Sequence, residues 1–206
     1  FISKGLISKL SKDGVHLMDP VLGKFGTIKS GKNIDIPGSE SSKTLDGCQA
    51  VILAMKEAGV RRGDTLAAVG GGVVQDVATF VSSIYMRGID WDYYPSTLTA
   101  MADSCIGGKS SINVGGIKNL VGNFYPPKRI FIDPELLATL PRKDTVSGLA
   151  EAVKICFARG AKDFETFCRF EAASNPQHAD DTSQMILHVL TCKKWFIEVD
   201  EFDKKE

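Results

Sequence analysis

The feature that most constrains the fold is an apolar run, a glycine triplet and a helical repeat, in that order. Residues 65–69 are mostly apolar, residues 70–72 are all glycine, and apolar residues then recur at helical spacing over residues 73–84. A buried strand that turns through glycines into a helix is typical of an α/β fold. The free N–H groups and the positive dipole at the start of such a helix suit a phosphate.

Neighbouring segments extend this interpretation. Apolar spacing predicts a helix that begins near Leu45 and ends at Gly59, and short apolar runs predict strands at residues 92–94 and 130–133. Before residue 45, short apolar pieces suit strands and loops. Beyond Pro134 two further helices are predicted, with these apolar positions: Leu149, Val153, Phe157, Ile186, Leu190 and Ile197.

The order of these elements predicts two domains. We expect an α/β domain over residues 1–133 and a helical domain over residues 134–206.

Composition excludes several classes of protein. The chain has 206 residues, 43% of them hydrophobic, and its 25 Lys and Arg balance 25 Asp and Glu. A nucleic-acid or membrane-surface binder usually shows a basic excess. No stretch approaches the roughly 18 apolar residues of a membrane span, and no secretory signal is visible at the start. We therefore expect a soluble, cytoplasmic protein with no nucleic-acid or membrane partner.

The five cysteines are an odd number and show no C-x-x-C spacing. This argues against a disulfide framework and against a thiolate zinc site. The three histidines form no local motif with them, so most cysteines are expected to be small buried hydrophobes.

Three groups of residues indicate chemistry. The first is the glycine turn with Asp76, whose carboxylate could bind a ribose or a carboxamide; the alternative is a tight turn with an acidic residue that complements the helix dipole. The turn does not follow G-x-G-x-x-G, which weakens an ordinary Rossmann assignment. The second group is Glu151 and Lys154. They share a helix face, and spacing alone favours a surface ion pair.

The third group is the glycine-rich segment over residues 87–123. Its Lys, Arg, Asp and Asn side chains suit a small anionic ligand, although a solvated loop is the alternative. These polar residues are Arg87, Asp103, Lys109, Asn113, Lys118, Asn119 and Asn123.

Four motifs occur in the order and spacing of one family. They are "GGGVVQD", "YPSTLTAMADSCIGGKSSINVGGIKNLVGNFYPP", "IDPELLATLP" and "GLAEAVK". Together, from about Glu40 to Glu201, the chain resembles 3-dehydroquinate synthase and the other sugar phosphate cyclases. The long middle motif is specific, whereas iron-dependent alcohol dehydrogenases and glycerol-1-phosphate dehydrogenases share the glycine motif.

The resemblance implies an enzyme in which residues 1–133 form an NAD-binding α/β domain and residues 134–206 are the beginning of an all-helical domain, apparently incomplete. In the family the helical domain completes a cleft holding one divalent metal, zinc or cobalt. It implies conversion of a seven-carbon keto-acid sugar phosphate, 3-deoxy-arabino-heptulosonate 7-phosphate, to 3-dehydroquinate with release of phosphate. In the family NAD is regenerated at each turnover. A homodimer is the common assembly.

The resemblance also implies roles for individual residues. The cofactor-binding residues would be Glu40, Lys43, Gly71, Gly72, Asp76, Ser96, Thr97, Lys118, Thr139 and Leu140. The catalytic and substrate-binding residues would be Arg87, Asp103, Lys109, Asn119, Lys154 and Lys193. Glu151 would be a metal ligand, which replaces the surface ion pair that spacing favoured.

Departures from the family keep other functions open. The family's remaining metal ligands are two histidines that follow the "DE" seen here at residues 200–201, and neither is present, so the chain alone is expected to be inactive. The alternatives are a cyclase for an amino-substituted or sedoheptulose 7-phosphate substrate, a metal-dependent polyol or glycerol-phosphate dehydrogenase, and a non-catalytic binding protein. Gly107 and Gly108 before Lys109 favour a carboxylated substrate.

Overall fold

The computed structural model describes residues 1–11, 13–25, 32–177 and 179–200. The strands in these residues are β1 (Val15–Met18), β2 (Lys32–Asp35), β3 (Thr65–Gly70), β4 (Asp90–Pro95), β5 (Ile112–Val114), β6 (Ile117–Val121) and β7 (Arg129–Ile130). Five of them form one sheet in the order β2-β1-β3-β4-β7, and every pairing in it is parallel. The other two, β5 and β6, form an antiparallel hairpin.

Five α-helices accompany the strands in the described part of the chain. They are α1 (Leu45–Glu57), α2 (Gly72–Ile84), α3 (Arg142–Arg159), α4 (Ala161–Cys168) and α5 (Thr182–Val199). The Thr44 side chain caps α1 by accepting a hydrogen bond from the Gly47 amide at 3.0 Å. A short π-helical turn, Ala100–Ser104, follows β4 and packs against α3 and α5.

The core explains why β3 and β4 lie at the centre of the sheet. Five of the six residues of β4 are buried, and so are most of those of β3, as expected for strands of a parallel sheet covered on both faces. Both strands end at the same edge, where the Ser96 amide donates to the Gly70 carbonyl at 2.9 Å. This edge carries the glycine turn and the start of α2.

Most of the expected elements are present, with boundary differences. The helix predicted from Leu45, the strand over residues 65–69 and the helix after the glycines are confirmed as α1, β3 and α2. The strand predicted at 130–133 is shorter: β7 ends at Ile130, and Ile132 forms an isolated bridge with Ile2 instead.

The helix predicted from Leu149, Val153 and Phe157 is confirmed as α3. Val153 is 39% and Phe157 is 69% exposed, however, and the helix buries a different set of residues: Thr145, Gly148, Ala152, Ile155 and Cys156. Gly148 packs closely against the chain that follows β4, because a Cβ there would come within 2.6 Å of the Leu98 Cβ. Apolar spacing alone does not reveal this close approach.

The segment over residues 87–123 is ordered rather than a solvated loop: it contains β4, the π-helical turn and the β5–β6 hairpin. Four cysteines are buried and Cys168 is exposed, which confirms that most are buried residues. Within the described ranges, no helix combines the length and the apolar character needed to cross a membrane.

Candidate active site

The glycine turn between β3 and α2 places two glycines in different environments. A Cβ at Gly71 would lie 2.9 Å from Cγ2 of Thr97, so this position needs glycine for packing. A Cβ at Gly72, the first residue of α2, would meet nothing within 4 Å. The first N–H groups of a helix have no partner within it, and here they border open space that an anion could enter.

Asp76, on the next turn of α2, lies at the centre of a polar network. Its Oδ2 is 2.8 Å from Nζ of Lys43, and its Oδ1 accepts a hydrogen bond from the Ser111 amide at 3.0 Å. The Lys43 side chain is only 10% exposed. Burial raises the pKa of Asp76, and the nearby Lys43 ammonium only partly opposes that effect.

Glu40 continues this network towards the β5–β6 hairpin. Its Oε1 accepts a hydrogen bond from Nδ2 of Asn113 at 2.8 Å and lies 4.0 Å from Nζ of Lys43. The hydrogen bond from Asn113 is the main cause that lowers the pKa of Glu40, with smaller contributions from Lys43 and Lys118. Three predicted cofactor residues, Glu40, Lys43 and Asp76, are therefore connected, and Lys118 lies close enough to act on Glu40 electrostatically.

A second cluster joins α5 to the π-helical turn. Nζ of Lys193 lies 2.8 Å from Oδ1 of Asp103, and both side chains are largely buried. Asp103 also raises the pKa of Lys154 as a minor contributor, so the Lys154 ammonium lies within its electrostatic range.

The two clusters border a single cleft of about 580 Å³. Gly72 and Asp76 lie on one side of it, and Asp103, Lys109 and Lys193 line the remainder. The other lining residues are Gln75, Ser104, Ile106, Gly107, Ser111, Phe196, Ile197, Val199 and Asp200. The cleft therefore combines a helix N-terminus, two lysines and three carboxylates with an apolar wall from α5.

Glu151 and Lys154 form the ion pair that their spacing first suggested. Nζ of Lys154 lies 2.5 Å from Oε1 of Glu151, and this contact is the main cause that raises the pKa of Lys154. Within the described residues, Glu151 belongs to no group of three His, Cys, Asp or Glu side chains placed to share an ion. One carboxylate does not make a metal site, so these residues alone do not fit the metal that the resemblance implies.

Several predicted residues do not line the cleft. Among the described residues these are Glu40, Lys43, Gly71, Arg87, Ser96, Thr97, Lys118, Asn119, Leu140, Glu151 and Lys154. Ser96 and Thr97 instead support the glycine turn, while the Leu140 carbonyl accepts a hydrogen bond from Gln177. Thr139 ends a 3-10 turn over Pro134–Thr139, and its side chain lies outside the described part.

Two predicted residues adopt positive φ angles without being glycine. Arg87 has φ 71° after α2, and Asn119 has φ 57° in β6, where its amide donates to Oδ1 of Asn113 at 2.8 Å. Such angles are uncommon outside glycine and occur at functional sites more often than elsewhere.

Sequence reasoning missed several residues of the cleft, among them Gln75 and Ser111. Ser111 supplies a backbone amide to Asp76, and the side chain of Gln75 exchanges hydrogen bonds with Ser104, including Ser104 Oγ to Gln75 Oε1 at 2.6 Å. The Gln75 contact ties the start of α2 to the π-helical turn. Gln75 directly precedes Asp76, which was the available signal; for Ser111 the sequence offers none, because a backbone contact leaves no residue-type pattern.

The fold and the cleft together define a class of open α/β proteins that bind a ligand beyond the carboxyl ends of parallel strands. Within that class, residues 33–147 match the family model "3-dehydroquinate synthase N-terminal". The chain belongs to the 3-dehydroquinate synthase family.

Curated relatives agree with this family. A 3-dehydroquinate synthase of Methylacidiphilum infernorum is 47% identical and aligned over 74% of this chain and 48% of its own length. The Pyrobaculum aerophilum 3-dehydroquinate synthase is 38% identical over 82% of this chain and 49% of its own length, and that of Latilactobacillus sakei is 44% identical over 62% and 36%. The chain thus spans about a third to a half of the relatives it matches.

Solved structures share the fold. The 2-epi-5-epi-valiolone synthase of Streptomyces hygroscopicus, with NAD+ and Zn2+ bound, covers 100% of this chain at a TM-score of 0.85 and 21% identity, and 62% of that protein is matched. A 2-deoxy-scyllo-inosose synthase with carbaglucose-6-phosphate, NAD+ and Co2+ matches at a TM-score of 0.82 and 22% identity, over 100% of this chain and 60% of its own.

Proposed function

We propose that this chain supplies the NAD site and part of the substrate site of a 3-dehydroquinate synthase. The whole protein would convert 3-deoxy-arabino-heptulosonate 7-phosphate to 3-dehydroquinate and release phosphate. Its cofactors would be NAD and one divalent metal, zinc or cobalt. The family membership supports the reaction class. The two polar clusters at one cleft support a cofactor role for one cluster and a substrate role for the other.

The observation that carries the proposal is the Lys43–Asp76–Ser111 network beside the open N-terminus of α2. The diphosphate of NAD would lie against the N–H groups that begin at Gly72, where the helix dipole favours negative charge. Lys43 and the Ser111 amide hold the Asp76 carboxylate in place, so that it can accept hydrogen bonds from a ribose. Glu40, held by Asn113, would contact the adenosine half.

The Asp103–Lys193 pair supports the proposed substrate site. Lys193 and Lys109 line the cleft and offer ammonium groups to the phosphate and carboxylate of a sugar-acid phosphate. Asp103 fixes the position of Lys193 at 2.8 Å and can accept a hydrogen bond from a ring hydroxyl. Fixed cations also stabilise the negative charge that develops on a leaving phosphate.

Bound NAD would supply hydride transfer to and from a ring carbon of the substrate. The residues of this chain would orient the two molecules and exclude water with the apolar wall formed by Phe196 and Ile197. Lys154, Arg87 and Asn119 complete the proposed substrate set from outside the cleft lining. Ser96, Thr97, Lys118, Thr139 and Leu140 complete the proposed cofactor set.

The metal is proposed for the whole protein. Glu151 would contribute one ligand after releasing Lys154, and the family resemblance assigns the other two to histidines. The roles proposed for the residues of this chain do not depend on the ion, because Glu151 alone cannot hold it. The division at residue 133, the homodimer and the cytoplasmic location likewise remain predictions.

Binding by the purified chain tests the proposal. We expect NAD to bind in a calorimetric titration, and 3-deoxy-arabino-heptulosonate 7-phosphate to bind more tightly when NAD is present. Lys109→Ala should weaken the sugar phosphate by about tenfold or more and leave NAD affinity unchanged. Absence of NAD binding by the folded wild-type chain would contradict the cofactor assignment.

The alternative functions give different results. A cyclase for sedoheptulose 7-phosphate or for an amino-substituted acid would bind that phosphate in preference. In the whole protein, a polyol or glycerol-phosphate dehydrogenase would accumulate NADH, whereas a cyclase returns the hydride and releases phosphate without net NADH.

A further inference from the structure

Two helices bring a soft donor cluster together away from the cleft lining. Cys156 lies near the end of α3, and His188 and Cys192 lie one turn apart on α5. Their ligand atoms, two Sγ and one imidazole nitrogen, are all within 4.8 Å of one another. Cys156 and Cys192 are buried, with exposures of 0% and 3%.

Packing of buried thiols alone does not require the polar contacts that this cluster makes. Sγ of Cys192 lies 3.9 Å from Nε2 of His188. That nitrogen is 2.9 Å from the carbonyl oxygen of Asp163, at the start of α4. The three side chains therefore come from α3 and α5, and a backbone carbonyl of α4 contacts the imidazole.

We propose that Cys156, His188 and Cys192 bind one zinc ion that clamps α3 and α5 together, with a water molecule as the fourth ligand. Thiolate and imidazole donors select zinc, and two thiolates, one imidazole and one water complete its tetrahedral coordination. Adjacent ligand atoms of a tetrahedral zinc site lie about 3.5–4 Å apart, so a separation below 4.8 Å needs only small side-chain shifts.

The proton balance of binding is simple. Each thiol gives up its proton to the solvent as its sulfur bonds to the ion, so two protons leave per zinc. Nε2 of His188 donates to the Asp163 carbonyl in the metal-free chain, because a carbonyl can only accept. On binding, the imidazole stays neutral, Nε2 becomes a ligand and the ring proton moves to Nδ1. No oxidant or reductant takes part.

The site is separate from the metal of the proposed reaction. Glu151 is not a member of the cluster, and none of the cluster residues lines the cleft. Spacing along the chain did not predict a thiolate site, because Cys156 and Cys192 come from different helices. The interval between His188 and Cys192, four residues on one helix, was the signal available in the sequence.

Zinc retention tests the proposal. The purified chain is stripped with a chelator, incubated with zinc chloride, desalted and analysed by mass spectrometry for metal content. We expect one zinc per chain in the wild type, at least fivefold less in Cys156→Ser and Cys192→Ser, and an unchanged content in Cys168→Ser. Glu151→Gln should also keep its zinc, which distinguishes this site from the reaction's metal.

Cobalt adds a readout specific to sulfur. Co2+ bound by the wild-type chain should show the near-ultraviolet sulfur-to-metal charge-transfer absorption, and Cys192→Ser should lose most of it. His188→Gln should keep that absorption and bind zinc more weakly. Absence of the absorption in the wild type, or equal intensity in the wild type and the two cysteine variants, would overturn the proposal.

The wild type alone provides a test if a cysteine variant does not fold. Zinc should slow the alkylation of Cys156 and Cys192, as measured by peptide mapping. It should leave the exposed Cys168 as reactive as before. Equal rates with and without zinc would refute the site. A denatured, metal-free chain that shows three free thiols instead of the five in its sequence would identify a disulfide instead.

Discussion

Lys193 on α5 holds its Nζ 2.8 Å from Oδ1 of Asp103, in the π-helical turn that follows β4. The contact joins a helix of the C-terminal part to the edge of the sheet that carries the glycine turn. It also fixes a pair in the cleft that combines a partly buried carboxylate with a cation. The geometry of the proposed substrate site therefore depends on how α5 packs against this turn.

Replacing Lys193 tests whether its contact with Asp103 matters more for stability and substrate affinity than the loss of any exposed lysine charge. In Lys193→Met, Asp103 loses its cation while much of the side-chain volume is kept, so we expect a loss of about 1 kcal/mol in the free energy of unfolding. Affinity for 3-deoxy-arabino-heptulosonate 7-phosphate should fall by about tenfold or more. Urea denaturation and calorimetry measure the two effects.

The neighbouring Lys194 provides the matched control. Its Nζ pairs with Oε1 of Glu198 at 3.2 Å, and both side chains are more than 60% exposed. Lys194→Met should change stability by less than about 0.5 kcal/mol and leave phosphate affinity unaltered. Equal phosphate affinity in the two variants would contradict a substrate role for Lys193.

The two glycines of the turn should respond differently to the same change. Gly72→Ala adds a methyl group in open space, so stability should be nearly unchanged while the approach of a diphosphate is blocked. We expect NAD affinity to fall by about tenfold or more. Gly71→Ala forces a Cβ within 2.9 Å of the Thr97 methyl and should destabilise the chain by about 1–3 kcal/mol.

Calorimetric titration with NAD, beside thermal unfolding, distinguishes these outcomes. The assignment of the diphosphate to the start of α2 would fail if Gly72→Ala bound NAD as tightly as the wild type.

The sequence was sufficient for the parts of the fold that local pattern determines. An apolar run, the glycines and helical spacing predicted β3, the turn and α2, because each depends on neighbouring residues. The helix α3 was also predicted, but not which of its residues are buried, since Val153 and Phe157 are exposed and Gly148 makes the close contact.

Prediction of the site from the sequence was limited in the same way. Motif resemblance brought Lys43 and Asp76 into one prediction although they are 33 positions apart, and the structure places them 2.8 Å apart. The Ser111 amide and the Cys156–His188–Cys192 cluster were missed, because a backbone donor and a contact between two helices leave no pattern along the chain.

Gly148 offers a test of how α3 packs. A methyl group there would lie 2.6 Å from Cβ of Leu98 and 2.8 Å from the Thr99 amide nitrogen. Although alanine favours helices, we expect Gly148→Ala to destabilise the chain by about 1–3 kcal/mol. Ser147→Ala, at the adjacent exposed position, should stay within about 0.5 kcal/mol of the wild type. Chemical denaturation of both variants compares them, and equal stabilities would show that α3 packs less closely.

Asp76 should impose a pH dependence on stability. Burial raises its folded-state pKa above the unfolded value, so the folded chain holds this proton more tightly. Its contribution to stability is therefore fully present below the ordinary pKa of an aspartate and is lost as pH rises through the raised value. Asp76→Asn should remove this decline, measured as the free energy of unfolding between about pH 3 and pH 7.

Glu40 provides the opposite case in the same network. The hydrogen bond from Asn113 lowers its pKa, so its contribution is present above the ordinary glutamate value and is lost as pH falls through the lowered one. Asn113→Ala should therefore reduce stability near neutral pH and have little effect in strong acid. Asp76→Asn should raise the free energy of unfolding at neutral pH relative to acid, whereas Asn113→Ala should lower it. If the two variants changed the pH dependence of the free energy of unfolding in the same direction, the assignment of opposite pKa shifts to these two carboxylates would be wrong.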